Sequence, residues 1–162
     1  ELIAQGKIAR TGPWLHLSAH RPVPNPADLA SWRELERLIE RDGLRAPSLS
    51  ALAEALKQDA AEVLKTLYRL ETLGFVLAVA KNRYFTLRQM ARLAGIAEQL
   101  AATDREEGTA LTAAVFREES GIGRNLTIEV LEYFDRAGFT RRRGGHRQIL
   151  RNSSELFAEA GS

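Results

Sequence analysis

Apolar residues recur at helical spacing in two stretches of the chain, each followed by a short run of extended character. In the first stretch Asn25-Pro26 pairs a capping residue with proline at the first helical position, and Leu35, Leu38 and Ile39 carry an apolar stripe to about Glu40. Ser48 then caps a short helix holding Leu49, Leu52, Ala53 and Leu56. The three-residue turn Lys57-Gln58-Asp59 leads into a third helix, whose start has the capping-box pattern Asp59-Ala60-Ala61-Glu62. Its stripe predicts burial of Leu64, Leu67 and Leu70, and Gly74 stops it by taking the left-handed cap without strain. Phe75 to Ala80 and Arg83 to Leu87 are β-prone around Lys81-Asn82, which predicts a hairpin.

The second stretch repeats the first at a constant offset of 64 residues. Ser48 aligns with Thr112, Leu52 with Phe116, Leu64 with Ile128, Leu67 with Leu131, Leu70 with Phe134, Gly74-Phe75 with Gly138-Phe139, and Arg83 with Arg147. A helix stop and a strand start recurring at one offset indicate two copies of one module. Here the first helix runs from Leu87 to Thr103, Thr112 starts the second, and Gly121-Ile122-Gly123 makes the turn. The third helix spans Arg124 to Ala137 with an expected core stripe of Ile128, Leu131 and Phe134, leaving Asn125, Glu129, Tyr133 and Arg136 outward. Phe139 to Arg143 and Arg147 to Arg151 flank Gly144-Gly145-His146 as a hairpin. Three helices closed by a hairpin is the winged-helix arrangement, in which helices two and three form a helix-turn-helix. The fold class is therefore mainly α with small β-hairpins, as tandem winged helices.

Residues 1–20 look like the end of a further copy, with Leu2-Ile3 finishing a helix, Gly6 capping it, and strands Lys7 to Arg10 and Trp14 to Leu17 around Thr11-Gly12-Pro13. The expected division is a wing remnant at 1–20, one winged helix at 25–87 and another at 88–155. A length of 162 residues accommodates modules of about 60–80 residues. The chain opens on Glu1 with no signal-like segment behind it, so a fragment of a longer protein is expected. No apolar run approaches the roughly 18–20 residues a membrane crossing needs. The absence of cysteine excludes a disulfide framework and thiolate metal sites, and fits the cytoplasm.

The formal charge of +2 does not announce a polyanion binder, but its distribution does. From Asp104 to Ser120 five acids (104, 106, 107, 118, 119) face Arg105 and Arg117, a balance of −3. From Gly121 to Arg151 seven arginines (124, 136, 141, 142, 143, 147, 151) face Glu129, Glu132 and Asp135, a balance of +4. This shift is a local electrostatic footprint.

No catalytic constellation accompanies it. There is no GxxxxGK[ST] loop, so these residues hold no P-loop GTP site. His16, His20 and His146 lack helical pairing and cysteine companions, which disfavours a metal site, and Glu118-Glu119 is a solvated helix end. The candidate chemistry lies at two places. Gly121-Ile122-Gly123-Arg124-Asn125 opens the third helix with glycines that let a phosphate approach unpaired N–H groups, beside the charge of Arg124. The wing carries Arg141, Arg142 and Arg143 in a row and Arg147 and Arg151 on the return, with Arg142 on the opposite side from its neighbours. Glu129 and Glu132 would repel two phosphate strands, so the pattern favours contact by the helix tip and wing over a helix laid in a groove. That suits an RNA hairpin loop, whose bases are splayed. A DNA-binding regulator and a protein-interaction adaptor are the alternatives.

Gly121-Ile122-Gly123-Arg124, followed by Ile128-Glu129-Val130-Leu131-Glu132-Tyr133-Phe134-Asp135-Arg136-Ala137-Gly138-Phe139-Thr140-Arg141-Arg142, closely resembles the last winged helix of bacterial selenocysteine-specific elongation factors, the SelB type. Trp14-Leu15-His16-Leu17 and Lys81-Asn82-Arg83-Tyr84-Phe85 resemble earlier parts of that family's C-terminal region, with 25–87 as its third and 88–155 as its fourth winged helix. The resemblance implies a translation factor that carries selenocysteinyl-tRNA to the ribosome. GTP and magnesium would be held by N-terminal domains, and these residues would need no cofactor and perform no catalysis. It also implies that this region, as a monomer away from any membrane, binds the mRNA selenocysteine insertion hairpin that recodes UGA. Carried over residue by residue, it nominates Gly123, Arg124 and Asn125 at the tip, and Arg141, Arg142, Arg143, His146, Arg147 and Arg151 in or beside the wing. Asn125 departs from the lysine that relatives often carry. The middle module is expected to be a spacer or a secondary contact, with Lys57, Lys65, Arg69, Lys81 and Arg83 either solvated or touching ribosomal RNA or tRNA.

Overall fold

Asn25 caps the first long helix, α1 (Pro26–Glu40), by accepting from the Asp28 backbone N–H at 2.8 Å, and Asp28 returns the bond to the Asn25 N–H at 3.0 Å. In this computed structural model, residues 8–11, 14–17, 23–104 and 109–158 are described. Before α1 lies an antiparallel hairpin of β1 (Ile8–Thr11) and β2 (Trp14–Leu17), with Ile8 opposite Leu17. The expected helix end at Leu2-Ile3, its cap Gly6, and Lys7, Gly12 and Pro13 fall outside the described residues.

The first winged helix continues with α2 (Leu49–Leu56), capped by the Ser48 hydroxyl, and α3 (Ala60–Thr72). Asp59 stands at the α3 cap, yet its side chain makes no capping bond. Its backbone carbonyl takes the N–H groups of Glu62 (3.0 Å) and Val63 (3.1 Å) instead, so the expected capping box does not form. The buried stripe is Val63, Leu67 and Leu70, with Leu64 half-buried at its margin. The wing is β3 (Val76–Ala80) and β4 (Arg83–Thr86), paired antiparallel with a bulge between Ala78 and Ala80. β4 stops at Thr86, and not at Leu87, because Thr86 caps α4 (Leu87–Thr103) in a capping box with Gln89. Glu40 ties the end of α1 to this start, accepting from Thr86 Oγ1 (2.7 Å) and Arg88 Nη1 (3.0 Å).

The second winged helix adds α5 (Ala113–Ser120), α6 (Arg124–Arg136), β5 (Thr140–Arg143) and β6 (His146–Ile149). A short α7 (Ser153–Phe157), capped by Asn152, follows. Phe157 packs 5.8 Å from the Phe134 ring and 5.9 Å from Phe139, which closes the second core around Phe116. This last helix had a signal in Asn152-Ser153-Ser154-Glu155, a cap followed by an acid in the first turn.

Two corrections follow from the α6 register. Ile128, expected in the core, is 45% exposed, while Tyr133, expected outward, is 4% exposed. The core stripe is Thr127, Val130, Leu131 and Phe134, widened to Tyr133 by neighbouring elements. The repeat also slips in its last strand. The extra residue at the first wing's bulge reduces the offset to 63, so Arg83, opposite Ala80, corresponds to His146, opposite Arg143, and not to Arg147.

Candidate nucleic-acid interface

The turn into α6 is built by two glycines around a buried anchor. Gly121 ends α5 with φ +67°, donating to the Arg117 carbonyl at 2.9 Å, and Ile122 is 3% exposed in the core. Gly123 then caps α6 at φ 85° and ψ 168°, a region that side chains other than glycine's hydrogen essentially never occupy. Its carbonyl accepts from Thr127 N–H (3.0 Å) and Thr127 Oγ1 (2.7 Å), but it offers no side chain to the first N–H groups of the helix. The first turn contains no acid, and Arg124 and Asn125 are exposed there. Uncapped N–H groups, the positive end of the helix dipole and an arginine converge on an anion-favouring corner.

The wing supplies the second part. Gly144 (φ +60°) and Gly145 make a two-residue turn, so the strand begins at His146, one residue earlier than expected. Arg141, Arg142 and Arg143 are all exposed. Arg142 Nε donates to the Gly144 carbonyl (3.2 Å) and Arg143 Nε to Gln148 Oε1 (3.3 Å), which orients both guanidiniums without neutralising them. Arg124 and Arg141 have no side-chain partner among the described residues. His146 is half-buried, and its backbone bridges to Thr112.

Arg147, expected among the contact residues, is 8% exposed and forks onto Asp135, Nε to Oδ1 at 3.1 Å and Nη2 to Oδ2 at 3.1 Å. Asp135 Oδ1 also accepts from Thr140 Oγ1 at 2.6 Å. Arg147 thus fastens the wing to the end of α6, and its charge is spent inside the protein. Arg151 lies beyond the strand, not on it, and pairs with Glu155 at 3.5 Å while remaining 41% exposed.

The first wing is tied to the outward face of α6 at two points. Arg136 Nη2 donates to the Val79 carbonyl at 2.7 Å, and Arg83 Nε to Glu129 Oε2 at 3.2 Å. Near the turn, Arg45 Nε donates to the Gly121 carbonyl at 2.9 Å. The first wing differs in kind, because Leu77, Ala78 and Ala80 stand in place of the three arginines and Val79 forms the bulge. Val76, Leu77, Val79, Tyr84 and Phe85 are all buried, so this hairpin is covered on both faces. Among the other basic residues of the first winged helix, Arg69 forks onto Asp28 (3.3 and 3.1 Å) and Lys65 approaches Glu62 at 3.4 Å. Arg69 and the Asn25 N–H hold the Asp28 carboxyl below its ordinary pKa. Among the described residues no group of three or more His, Asp or Glu is placed to hold a metal ion, and no helix is long and apolar enough to cross a membrane.

Residues 104–149 match the family described as "Elongation factor SelB, winged helix". The selenocysteine-specific elongation factor of Escherichia coli is 36% identical over 146 residues, 90% of this chain and 22% of that protein. Its counterpart in Haemophilus influenzae is 29% identical over 154 residues, 95% of this chain and 24% of that protein. The chain thus spans about a quarter of the length of these relatives. The solved mRNA-binding domain of E. coli elongation factor SelB, in complex with SECIS RNA, superposes with a TM-score of 0.66 at 33% identity, covering 79% of this chain and all of that one. Sequence, tandem winged-helix architecture and full coverage of that solved domain agree, and the chain belongs to the SelB family of selenocysteine-specific elongation factors.

Proposed function

We propose that this chain binds the selenocysteine insertion hairpin of an mRNA, holding it at the start of α6 and on the second wing. The observation that carries this is the division of the surface: Arg124, Arg141, Arg142 and Arg143 are exposed and free of carboxylate partners among the described residues, while Glu129 and Arg136 further along α6 are tied to the first wing. A duplex groove needs the length of a recognition helix, whereas a hairpin loop needs a corner that takes phosphates from two directions. The contact residues are Gly123, Arg124, Asn125, Arg141, Arg142 and Arg143, with His146 and Arg151 at the margin. Asn125 supplies a neutral amide where a lysine would supply charge, suiting a base edge or a phosphate oxygen.

In the whole protein, this binding would deliver selenocysteinyl-tRNA to the ribosome at a recoded UGA in the cytoplasm. GTP and magnesium would be held by domains other than the winged helices. Residues 25–87 would serve chiefly to buttress 88–155, and 1–20 would close a preceding module. Competition tests the reading. Unlabelled SECIS hairpin should displace a labelled hairpin at concentrations where a DNA duplex of equal length does not, and equal displacement by both would favour a general polyanion surface.

A further inference from the structure

We propose that Arg45, on the first winged helix, is a phosphate-binding residue of the hairpin site on the second. This rests on the RNA-binding reading above and extends the site across both modules. Arg45 follows α1 in a short loop whose position is fixed. Its own N–H donates to the Asp42 carbonyl (3.3 Å), Ala46 is 2% exposed, and the Ala46 carbonyl accepts from Arg83 Nη1 at 2.9 Å. The same Arg83 holds Glu129 on α6, so the loop is locked to the second module. From there Arg45 Nε donates to the carbonyl of Gly121, two residues before the α6 cap.

The tether uses only Nε. Arg45 is exposed, and its terminal amino groups have no partner among the described residues. This separates it from Arg83 and Arg147, whose guanidiniums are each engaged by a carboxylate. A guanidinium held through Nε presents its remaining N–H donors as a pre-oriented fork, the geometry that matches two phosphate oxygens. Because the plane is already fixed, binding loses less side-chain freedom than it does for an untethered arginine. Arg45 and Arg124 then bracket the Gly121-Ile122-Gly123 turn from opposite ends.

The test uses the whole 162-residue chain and a fluorescently labelled SECIS hairpin titrated over a range of salt. Arg45→Ala should weaken binding about 5- to 20-fold and make the log–log salt slope shallower by about one phosphate's worth, roughly 0.7–0.9. Arg45→Lys should keep the slope but recover only part of the affinity, having charge without the fork. Thermal melting of each variant separates contact from bracing. Overturning results are an unchanged affinity and slope in Arg45→Ala, or an affinity loss with an unchanged slope and a lowered melting temperature. If the unaltered chain itself binds the hairpin weakly and with no salt dependence, the RNA-binding reading fails and this inference with it. Steep binding by the unaltered chain with indifferent Arg45 variants overturns the inference alone.

Discussion

Arg83 and Glu129, 46 residues apart, form a half-buried ion pair at 3.2 Å that seats the first wing on α6. The pair neutralises Glu129, which would otherwise repel phosphate, while Arg124 and Asn125 at the start of α6 stay exposed. Replacing Arg83 by Ala strands the carboxylate and also frees the Ala46 carbonyl, at a cost of about 1–3 kcal/mol. Chemical denaturation of Arg83→Ala, Glu129→Gln and the double variant should show a non-additive cycle, with Glu129→Gln costing little once Arg83 is gone. Additive losses would mean that the two side chains do not act as a pair.

The arginines of the second wing should divide into two classes. Arg147→Ala leaves Asp135 without its buried partner and should cost about 2–4 kcal/mol of stability, with hairpin affinity falling because the wing loosens. Arg142→Ala removes an exposed charge, so melting should be unchanged while binding weakens by about 1–3 kcal/mol. Melting curves and titrations of the two variants side by side check the split.

Gly123 is required by its backbone rather than by crowding. A Cβ there would meet nothing within 4 Å, yet φ +85° is strained for any L side chain. Gly123→Ala should therefore cost about 1–3 kcal/mol, read by denaturation, and should also misdirect the start of α6. Gly145→Ala, in open space and without a positive φ, should leave stability within about 0.5 kcal/mol of the parent.

Much of this was legible from local chemistry. Caps at Asn25, Ser48, Thr112 and Gly138, the turn at Lys57-Gln58-Asp59 and the hairpin at Lys81-Asn82 are encoded within a few residues, and the structure places elements there. Arg124 and the arginine wing stood out because charge accumulates there without local acids. What local reading missed was set by tertiary partners. Tyr133 is drawn inward against Phe157, 6.5 Å away on a helix that the reading did not include. Arg147 looked like a free charge because Asp135 lies 12 residues away and meets it only when the wing folds back. Spacing carried no signal for Arg45, whose partner Gly121 is 76 residues distant.

Tyr84 gives the first winged helix a pH dependence. Burial, reinforced by the nearby Glu71 carboxylate and Tyr68, pushes its phenol from 10.0 up to about 12. A raised folded value means that the neutral phenol is the folded form's preference. Its contribution is complete below about pH 10 and is lost as pH climbs toward 12. Tyrosinate absorbance should show a late-titrating component that is lost in Tyr84→Phe, and the parent's denaturation midpoint should fall more steeply than the variant's across that window.

The central claim is that an RNA hairpin is held by the α6 start and the second wing together. Titrating a labelled SECIS hairpin with the chain and with the Arg124→Ala/Arg142→Ala double variant tests it most directly. The parent should bind tightly and with a steep salt dependence. In the double variant, affinity should drop at least about tenfold, with a slope shallower by roughly 1.4–1.8 and an unchanged melting temperature. A double variant that binds the hairpin with the parent's affinity and slope would contradict it.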